Sequence, residues 1–448
     1  MDADEGNNQQ TGDTEAQTAA ILTLEGKAER RLIRPGGSHR HIDYSIHVGH
    51  LPQTQRMERP PLVISLVLDR SGSMSGEKIV TAKAAALAVV DRLEAQDQVA
   101  VVVFDDKIDV VQPVASATPD VKKGIREALS RIEARASTAL HEGWLVGCKT
   151  IAGDSLPRGG ALARCFLLTD GLANVGLTDP EQIASDAAGI RQNAGISTST
   201  FGIGPDYAEE LLGPMAVAGG GQFHPLRTTA DIASTFIGEL GEMLSVAAGN
   251  ARLELDGGRD ITVEIVSEYR ALQPVPGLST VSVLVGDLPA GDERHVVVRF
   301  GFPAHGDLDV RTIQARVVWS AGGRDYSTPW QETRFAYADN AACDAERREH
   351  QDAAVMHWVG LHYAQRAKKE ATLLSKRGDL NGARALLEGV ARRIAEYARS
   401  DSDLQAAVKE LRALAVELAE RPVDTLTSKE TYYQTLRTSR GQKDFRRP

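Results

Sequence analysis

Leu62-Val63-Ile64-Ser65-Leu66-Val67-Leu68-Asp69-Arg70-Ser71-Gly72-Ser73-Met74 decides the reading of this chain. Its first seven residues form a near-continuous apolar run, the mark of a strand buried on both faces of a parallel sheet. The run stops at Asp69, and Asp69, Ser71 and Ser73 then take alternate positions before a long Ala-rich helix predicted over 77–94. In an open α/β sheet, ligands bind in the crevice outside the carboxyl ends of the strands. A carboxylate and two hydroxyls there, with no cysteine or histidine among them, are hard oxygen donors suited to Mg2+ or Mn2+. Zinc would recruit nitrogen or sulfur instead.

Further buried runs follow at 99–104 and 163–168, with a short edge strand predicted over 108–111 and closed by Pro113. Helices are predicted near 119–132, 139–151, 180–193 and 207–217, strands over 196–203 and 221–225, and a closing helix over 229–246. This alternation predicts a doubly wound, mostly parallel open sheet over residues 60–248. After Gly249 the helical period vanishes and about six strands are predicted, at 252–255, 261–266, 280–285, 295–302, 312–319 and 332–337. That pattern reads as an antiparallel β-sandwich over 249–339.

Two β-like stretches, 20–34 and 41–48, lie in the N-terminal segment 17–59 around the turn Pro35-Gly36-Gly37. A two-stranded hairpin is marginal alone, so these strands are expected to join the sandwich, making the α/β domain an insertion within it. Residues 340–422 read as helical, with one long helix over 342–376, a break at Gly378-Asp379, and helices over 380–399 and 402–420. The polar residues 1–16 and the Thr/Ser/Tyr-rich tail 423–448 are expected to be flexible, and the tail's hydroxyls are candidate phosphate acceptors.

Asp-x-Ser-x-Ser after an apolar strand resembles the metal-site motif of the von Willebrand factor A family, whose domain is Rossmann-like. The resemblance covers residues 60–246. The family supplies a threonine from a second loop and an aspartate from a third. Ser137-Thr138-Ala139-Leu140 before a helix, and Leu168-Thr169-Asp170-Gly171 after a buried run, match those loops in order and spacing. Arg135-Ala136-Ser137 stands where glycines usually precede the threonine.

The resemblance implies an Mg2+ site, with Mn2+ or Ca2+ as alternatives, held by Asp69, Ser71, Ser73, Thr138 and Asp170. Ser71, Ser73 and Thr138 would ligate directly, and the two aspartates largely through water. An open coordination position would accept a Glu or Asp from a partner protein. Arg70 and Met74, beside the site, are candidate rim residues for that partner. In some family members ligand exchange moves the last helix, so the helix over 229–246, running through 247–249, is a candidate route into the sandwich. A β-region around the domain followed by helices is similar to bacterial relatives of the inter-α-trypsin inhibitor heavy chains.

Enzymatic readings fare poorly. Gly72-Ser73-Met74-Ser75-Gly76 places Met74 where a nucleophile elbow needs serine, and His141-Glu142-Gly143-Trp144-Leu145 ends in Leu where a zinc protease needs its second histidine. The competing reading is a scaffold that binds through the C-terminal helices, whose residues Leu373, Leu380, Ala383, Leu386, Leu387, Val390 and Ile394 form an apolar stripe. A metal site at His39, His41, His47 and His50 is a weaker alternative, since those residues lack defined ligand spacing.

The 448 residues, 42% hydrophobic and 25% charged, suit a multi-domain globular protein. A formal net charge of −10 argues against nucleic acid as the main partner. No apolar run reaches the roughly 18 residues of a membrane span. Cys148, Cys165 and Cys343 form no CxxC pair, and the N-terminal residues show no basic or apolar leader. A cytoplasmic location is therefore expected.

Overall fold

The computed structural model describes residues 22–420, apart from 50–60, 136, 153–160, 172, 205–206, 227–234, 237, 242, 244, 259, 273–279, 305–309 and 322–323. The expected lead-in over 1–16, His50, part of the expected closing helix and the tail over 423–448 lie outside the described residues.

The N-terminal stretch is divided between two sheets, which corrects the expectation of one strand over 20–34. β1 (Leu22–Ala28) pairs antiparallel with β3 (Ser38–Val48), whereas β2 (Leu32–Ile33) runs beside a strand of the other sheet. The switch falls at Glu29-Arg30-Arg31, where buried Glu29 accepts from the His41 backbone.

The α/β unit follows. Its strands are β4 (Leu62–Asp69), β5 (Gln98–Phe104), β6 (Ile108–Ser116), β7 (Leu162–Thr169), β8 (Ile196–Ile203) and β9 (Gly220–Leu226), in the order β6-β5-β4-β7-β8-β9. All neighbours are parallel except β5 and β6. β6 continues past Pro113, correcting its expected end. Pro113 lies in a register shift of the outer strand, where no ladder N–H is required. The chain leaves β4 first toward β5 and later returns to its other side as β7. The topological switch point therefore lies at the ends of β4 and β7.

All eight residues of β4 are buried because helices cover both faces. On one face Ile64, Leu66 and Leu68 meet α1 (Glu77–Arg92) through Ala82, Ala85, Ala86 and Val89, and α2 (Pro119–Ser130) adds Ile125 and Leu129. On the other, Val63 and Val67 meet α3 (Leu140–Thr150), α4 (Pro180–Ala194) and α5 (Glu209–Ala218). On α3, Gly143 and Gly147 allow the helix to lie directly on the sheet. A Cβ at Gly147 would stand 2.1 Å from Val67 and one at Gly143 2.4 Å from Phe104. This close approach draws in the loop that precedes α3.

The second unit is the sandwich. It adds β10 (Val246–Asp256), β11 (Thr262–Ile265), β12 (Arg270–Leu272), β13 (Thr280–Pro289), β14 (Glu293–Phe302), β15 (Val310–Ala321), β16 (Arg324–Ser327) and β17 (Gln331–Tyr337). One sheet runs β1-β3-β14-β11. The other runs β12-β13-β10-β15-β17-β2, with β16 beside β15. Ile42, Val296 and Phe300 from the first sheet and Leu253, Val317 and Trp319 from the second share one core. Eight strands stand here among the described residues where six were expected, since β12 and β16 are too short to show alternation. The link expected at 247–249 between the closing helix and the β-region is itself strand, because β10 begins at Val246.

The expected single helix over 342–376 is two. α6 (Asn340–Glu349) ends at His350, and Asp352 caps α7 (Ala353–Lys376) by accepting from the Ala354 and Val355 N–H groups at 2.9 and 3.1 Å. α7 packs with α8 (Leu380–Ala398) and α9 (Ser402–Glu420), and Ala383, Leu387, Val390 and Ile394 are buried among them. Most of the apolar stripe offered as a partner-binding face thus packs within its own bundle. The other side of α7 lies on β3 and β14, where Val355, Met356 and Val359 meet Val297 and Val266.

A nearly buried ionic cluster ties the α/β unit to the sandwich. Asp287 of β13 pairs with Arg191 of α4 and with Arg164 of β7 (3.2 Å), and accepts the Asn250 N–H at 3.0 Å. Arg164 also pairs at 2.5 Å with Glu239, whose carboxylate accepts from Ser199 and faces His224 at 2.7 Å. Burial alone would raise the Glu239 carboxyl; Arg164, His224 and Ser199 bring it down to about 2. Removing one member leaves uncompensated buried charge, so Asp287→Ala is expected to cost about 3–5 kcal/mol in urea unfolding.

Buried His362 on α7 has its imidazole lowered to about 4 by desolvation, with His295 adding to the effect. The unfolded chain takes up this proton near its ordinary value of 6.5, whereas the folded chain resists until about 4. Stability present above pH 6.5 is therefore lost as pH falls toward 4, by about 3 kcal/mol in total. His362→Phe is expected to flatten that part of the pH–stability curve from urea midpoints.

Candidate metal centre

Three loops meet at the switch point. Asp69, the last residue of β4, is fully buried. Its Oδ1 accepts the Ser71 N–H at 2.7 Å, and its Oδ2 accepts the hydroxyl of Thr169, at the end of β7, at 2.5 Å. The first bond is an Asx-type turn that holds the loop in place. Burial pushes the Asp69 carboxyl up to about 6 against the lowering effect of these hydrogen bonds, and nearby Asp170 adds to the rise.

From Ser71 the contacts continue outward. Ser71 Oγ lies 3.1 Å from Ser73 Oγ, and the Ser73 hydroxyl reaches Asp170 Oδ1 at 3.2 Å. The other oxygen of Asp170 takes Lys78 Nζ at 3.0 Å. Asp69, Ser71 and Asp170 are buried, whereas Ser73 is exposed. Four of the five expected metal-site residues thus stand in one continuous chain of short polar contacts with an outlet to solvent.

Thr138 is brought alongside by its backbone. Its N–H donates to Asn174 Oδ1 at 2.8 Å, and its carbonyl accepts from the Asn174 and Val175 N–H groups at 3.2 Å. The Arg135 N–H donates to the Arg70 carbonyl, and the Ala139 N–H to the Asp105 carbonyl, both at 2.8 Å. The threonine loop is thereby stitched to the Asp69 loop, to the end of β5 and to the Asp170 loop. The Thr138 side chain is buried there, 2% exposed.

The expectation that Arg70 and Met74 form an exposed rim is corrected. Arg70 is 6% exposed, and its guanidinium pairs with Asp105 at 3.0 Å and Asp109 at 2.5 Å. Met74 is fully buried in the core under α1, because a 3-10 turn over Gly72–Met74 turns it inward.

Asp105 escaped the sequence reading. Its carboxylate takes Arg70, Arg135 at 2.7 Å and the Lys107 N–H at 2.7 Å. Burial would raise its pKa, but Arg135, the Lys107 amide and Arg70 together hold it below the ordinary value. The signal was present: Asp105 follows a buried strand just as Asp69 and Asp170 nearly do. Asn174, Thr169 and Lys78 had no comparable signal.

The histidine alternative dissolves into packing contacts. His41 faces Glu29 and Tyr363 at 3.3 and 3.1 Å, and His47 lies 3.4 Å from Glu293.

The donor set fits a hard cation on its own chemistry. Asp69, Ser71, Ser73, Asp170 and Thr138 offer only oxygen, and two carboxylates are held in a buried site that opens through a hydroxyl.

Comparison with known proteins bears on the family and the fold. Residues 64–234 match the family model of the von Willebrand factor type A domain. An uncharacterized protein of Synechocystis sp. is 30% identical over 249 residues, covering 53% of this chain and 56% of that protein. Human inter-alpha-trypsin inhibitor heavy chain H4 is 29% identical over 181 residues, covering 39% of this chain and 19% of that one. The chain thus spans about half or less of the length of these curated relatives. A solved von Willebrand factor type A protein from Catenulispora acidiphila, 19% identical, superposes with a TM-score of 0.69 over 95% of this chain and 97% of that one, which extends the shared fold to the sandwich and helices.

Two substitutions test the local packing. Met74→Ala is expected to cost about 2–5 kcal/mol in urea unfolding, as a core truncation does. Asp105→Ala leaves buried Arg70 short of a partner and is expected to cost about 3–5 kcal/mol in the same measurement.

The buried parallel strand ending at Asp69, the loops that converge beside it and the match over residues 64–234 identify this part of the chain as a von Willebrand factor type A domain.

Proposed function

We propose that this chain is a divalent-cation-dependent protein-binding module rather than an enzyme. Asp69, Ser71, Ser73, Thr138 and Asp170 would hold Mg2+, with Mn2+ as the closest substitute. The bound ion would supply a Lewis-acidic position for a Glu or Asp carboxylate of a partner protein. The observation that carries the reading is the continuous contact from Asp69 through Ser71 and Ser73 to Asp170, whose exposed member is a hydroxyl. An incoming acid would approach from that side.

The chain's own residues do the preparatory work. Thr169 and the Ser71 amide orient Asp69. Asn174 and the Arg135 and Ala139 amides fix the Thr138 loop. Such outer contacts hold ligand atoms in place before the ion arrives. Von Willebrand factor A domains typically mediate metal-dependent protein interaction, and they and the inter-alpha-trypsin inhibitor heavy chains are generally non-enzymatic, which supports the same class. Free, buried Cys148, Cys165 and Cys343 are in keeping with a reducing, cytoplasmic setting.

Calorimetry with MgCl2 tests the reading: wild type is expected to bind one ion, and Asp69→Ala to lose the signal. Asp105→Asn, which acts through the loop, is expected to weaken Mg2+ about 10–100-fold. Magnesium at a hundred times its Kd is expected to raise unfolding stability by about 2.7 kcal/mol. Partners captured from a lysate in Mg2+ but lost in EDTA, and lost with Asp69→Ala, would be those that use the site. Absence of magnesium uptake by folded wild type would overturn the proposal.

A further inference from the structure

Lys78 is out of place by local rules. It stands in the first turn of α1, where the helix dipole favours acids and disfavours a cation. A residue that breaks a local preference invites a tertiary reason. Its stem crosses Gly204, at the end of β8, which has φ +82° and no side chain. A Cβ there would lie 2.8 Å from Lys78 Cε and 3.3 Å from its Cγ and Cδ. The passage delivers Nζ to 3.0 Å from Asp170 Oδ2, with the lysine side chain only 19% exposed. Asp170 thus accepts from Ser73 on Oδ1 and from Lys78 on Oδ2.

We propose that Lys78 sets the charge of the metal site: it weakens the hold on the divalent ion and strengthens the filled site's hold on a partner carboxylate. The inference rests on the metal-binding reading above. Asp69 and Asp170 contribute two negative charges and Lys78 one positive. With the ammonium in place the cluster carries one net negative charge, and a divalent ion turns it to one net positive. Without the ammonium, the same ion would merely neutralise the cluster. A net positive site attracts an incoming acid, whereas a neutral one relies on ligation alone. Among the described residues, the ion pairs of Arg70 and Arg135 with Asp105 and Asp109 leave this sum unchanged.

Lys78 also acts as a positioning residue. By occupying Oδ2, it aims Asp170 at Ser73 and keeps that carboxylate from closing directly around the ion. The effect is a trade: lower affinity for metal and higher affinity for the acidic group that metal recruits.

The test compares wild type with Lys78→Met, Lys78→Gln and Lys78→Arg in full-length protein. Mg2+ affinity is read by calorimetry at low salt. Acetate is then titrated into the magnesium-loaded proteins and followed by amide NMR shifts. Circular dichroism and thermal melting establish that each variant is folded. Lys78→Met and Lys78→Gln are expected to bind Mg2+ about tenfold tighter and acetate several-fold weaker, while Lys78→Arg, which keeps the charge, stays near wild type. A purely structural role predicts the opposite direction for Mg2+, because a disordered site binds less. Unchanged or weaker Mg2+ binding by folded Lys78→Met and Lys78→Gln, or unchanged acetate binding, overturns the proposal and leaves the metal reading standing. Uptake by none would overturn both. Uptake by those two variants but not by wild type would also overturn both, because the ammonium would then stand in for the ion instead of tuning it.

Discussion

The hydrogen bond from Thr169 to Asp69 joins the carboxyl ends of β4 and β7, and the arrangement of the whole crevice depends on it. These strands are neighbours in space but separated in sequence by β5, β6 and the helices α1, α2 and α3, which is what a topological switch point requires. Parallel registration carries Leu68 beside Leu168, so the next residues, Asp69 and Thr169, reach the rim together. Ser71, Ser73 and Asp170 then lie within one or two contacts of that bond. A slip in register would separate the two loops before any side-chain chemistry mattered.

Two kinds of buried carboxylate surround this point. Among the described residues, Asp69 accepts from Thr169 and the Ser71 amide, and Asp170 accepts from Ser73 and Lys78. Asp105 lies nearby but is satisfied by two arginines and an amide. It works as a rivet between loops and offers little to an incoming ion. Burial makes an unpaired charge costly, so each of these acids is held by hydrogen bonds or an ion pair.

The other end of the sheet does different work. Arg164 lies five residues before Thr169 on β7, and with Arg191, Glu239 and Asp287 it joins the α/β unit to β13 of the sandwich. Helix α7 packs on β3 and β14, and Lys376 at its far end pairs with Glu209 and Glu210 in the first turn of α5, both at 2.7 Å. The Ala208 N–H just before that turn donates to the Asp170 carbonyl. The helical bundle is therefore linked through the start of α5 to the loop that carries Asp170, even though the chain reaches that bundle only after the entire sandwich.

The α/β unit and its candidate site were legible in sequence because their signals are local. Apolar runs name buried strands, and an Asp-x-Ser-x-Ser step places three oxygen donors within five residues. Periodicity also announced the sandwich strands longer than four residues. What the sequence left open was set by contacts between distant segments. Position 74 reads as a loop residue until the chain turns inward at Gly72, and Arg70 reads as exposed until Asp105 and Asp109 arrive from β5 and β6. The break before α7 was written in Asp352 as a cap, yet a continuous amphipathic pattern masked it. The strand ending at Asp69 was specified by its own apolar period; the partners of Arg70, Met74 and Lys78 were decided only on folding, because charge pairing and core burial depend on which distant atoms exclude the water.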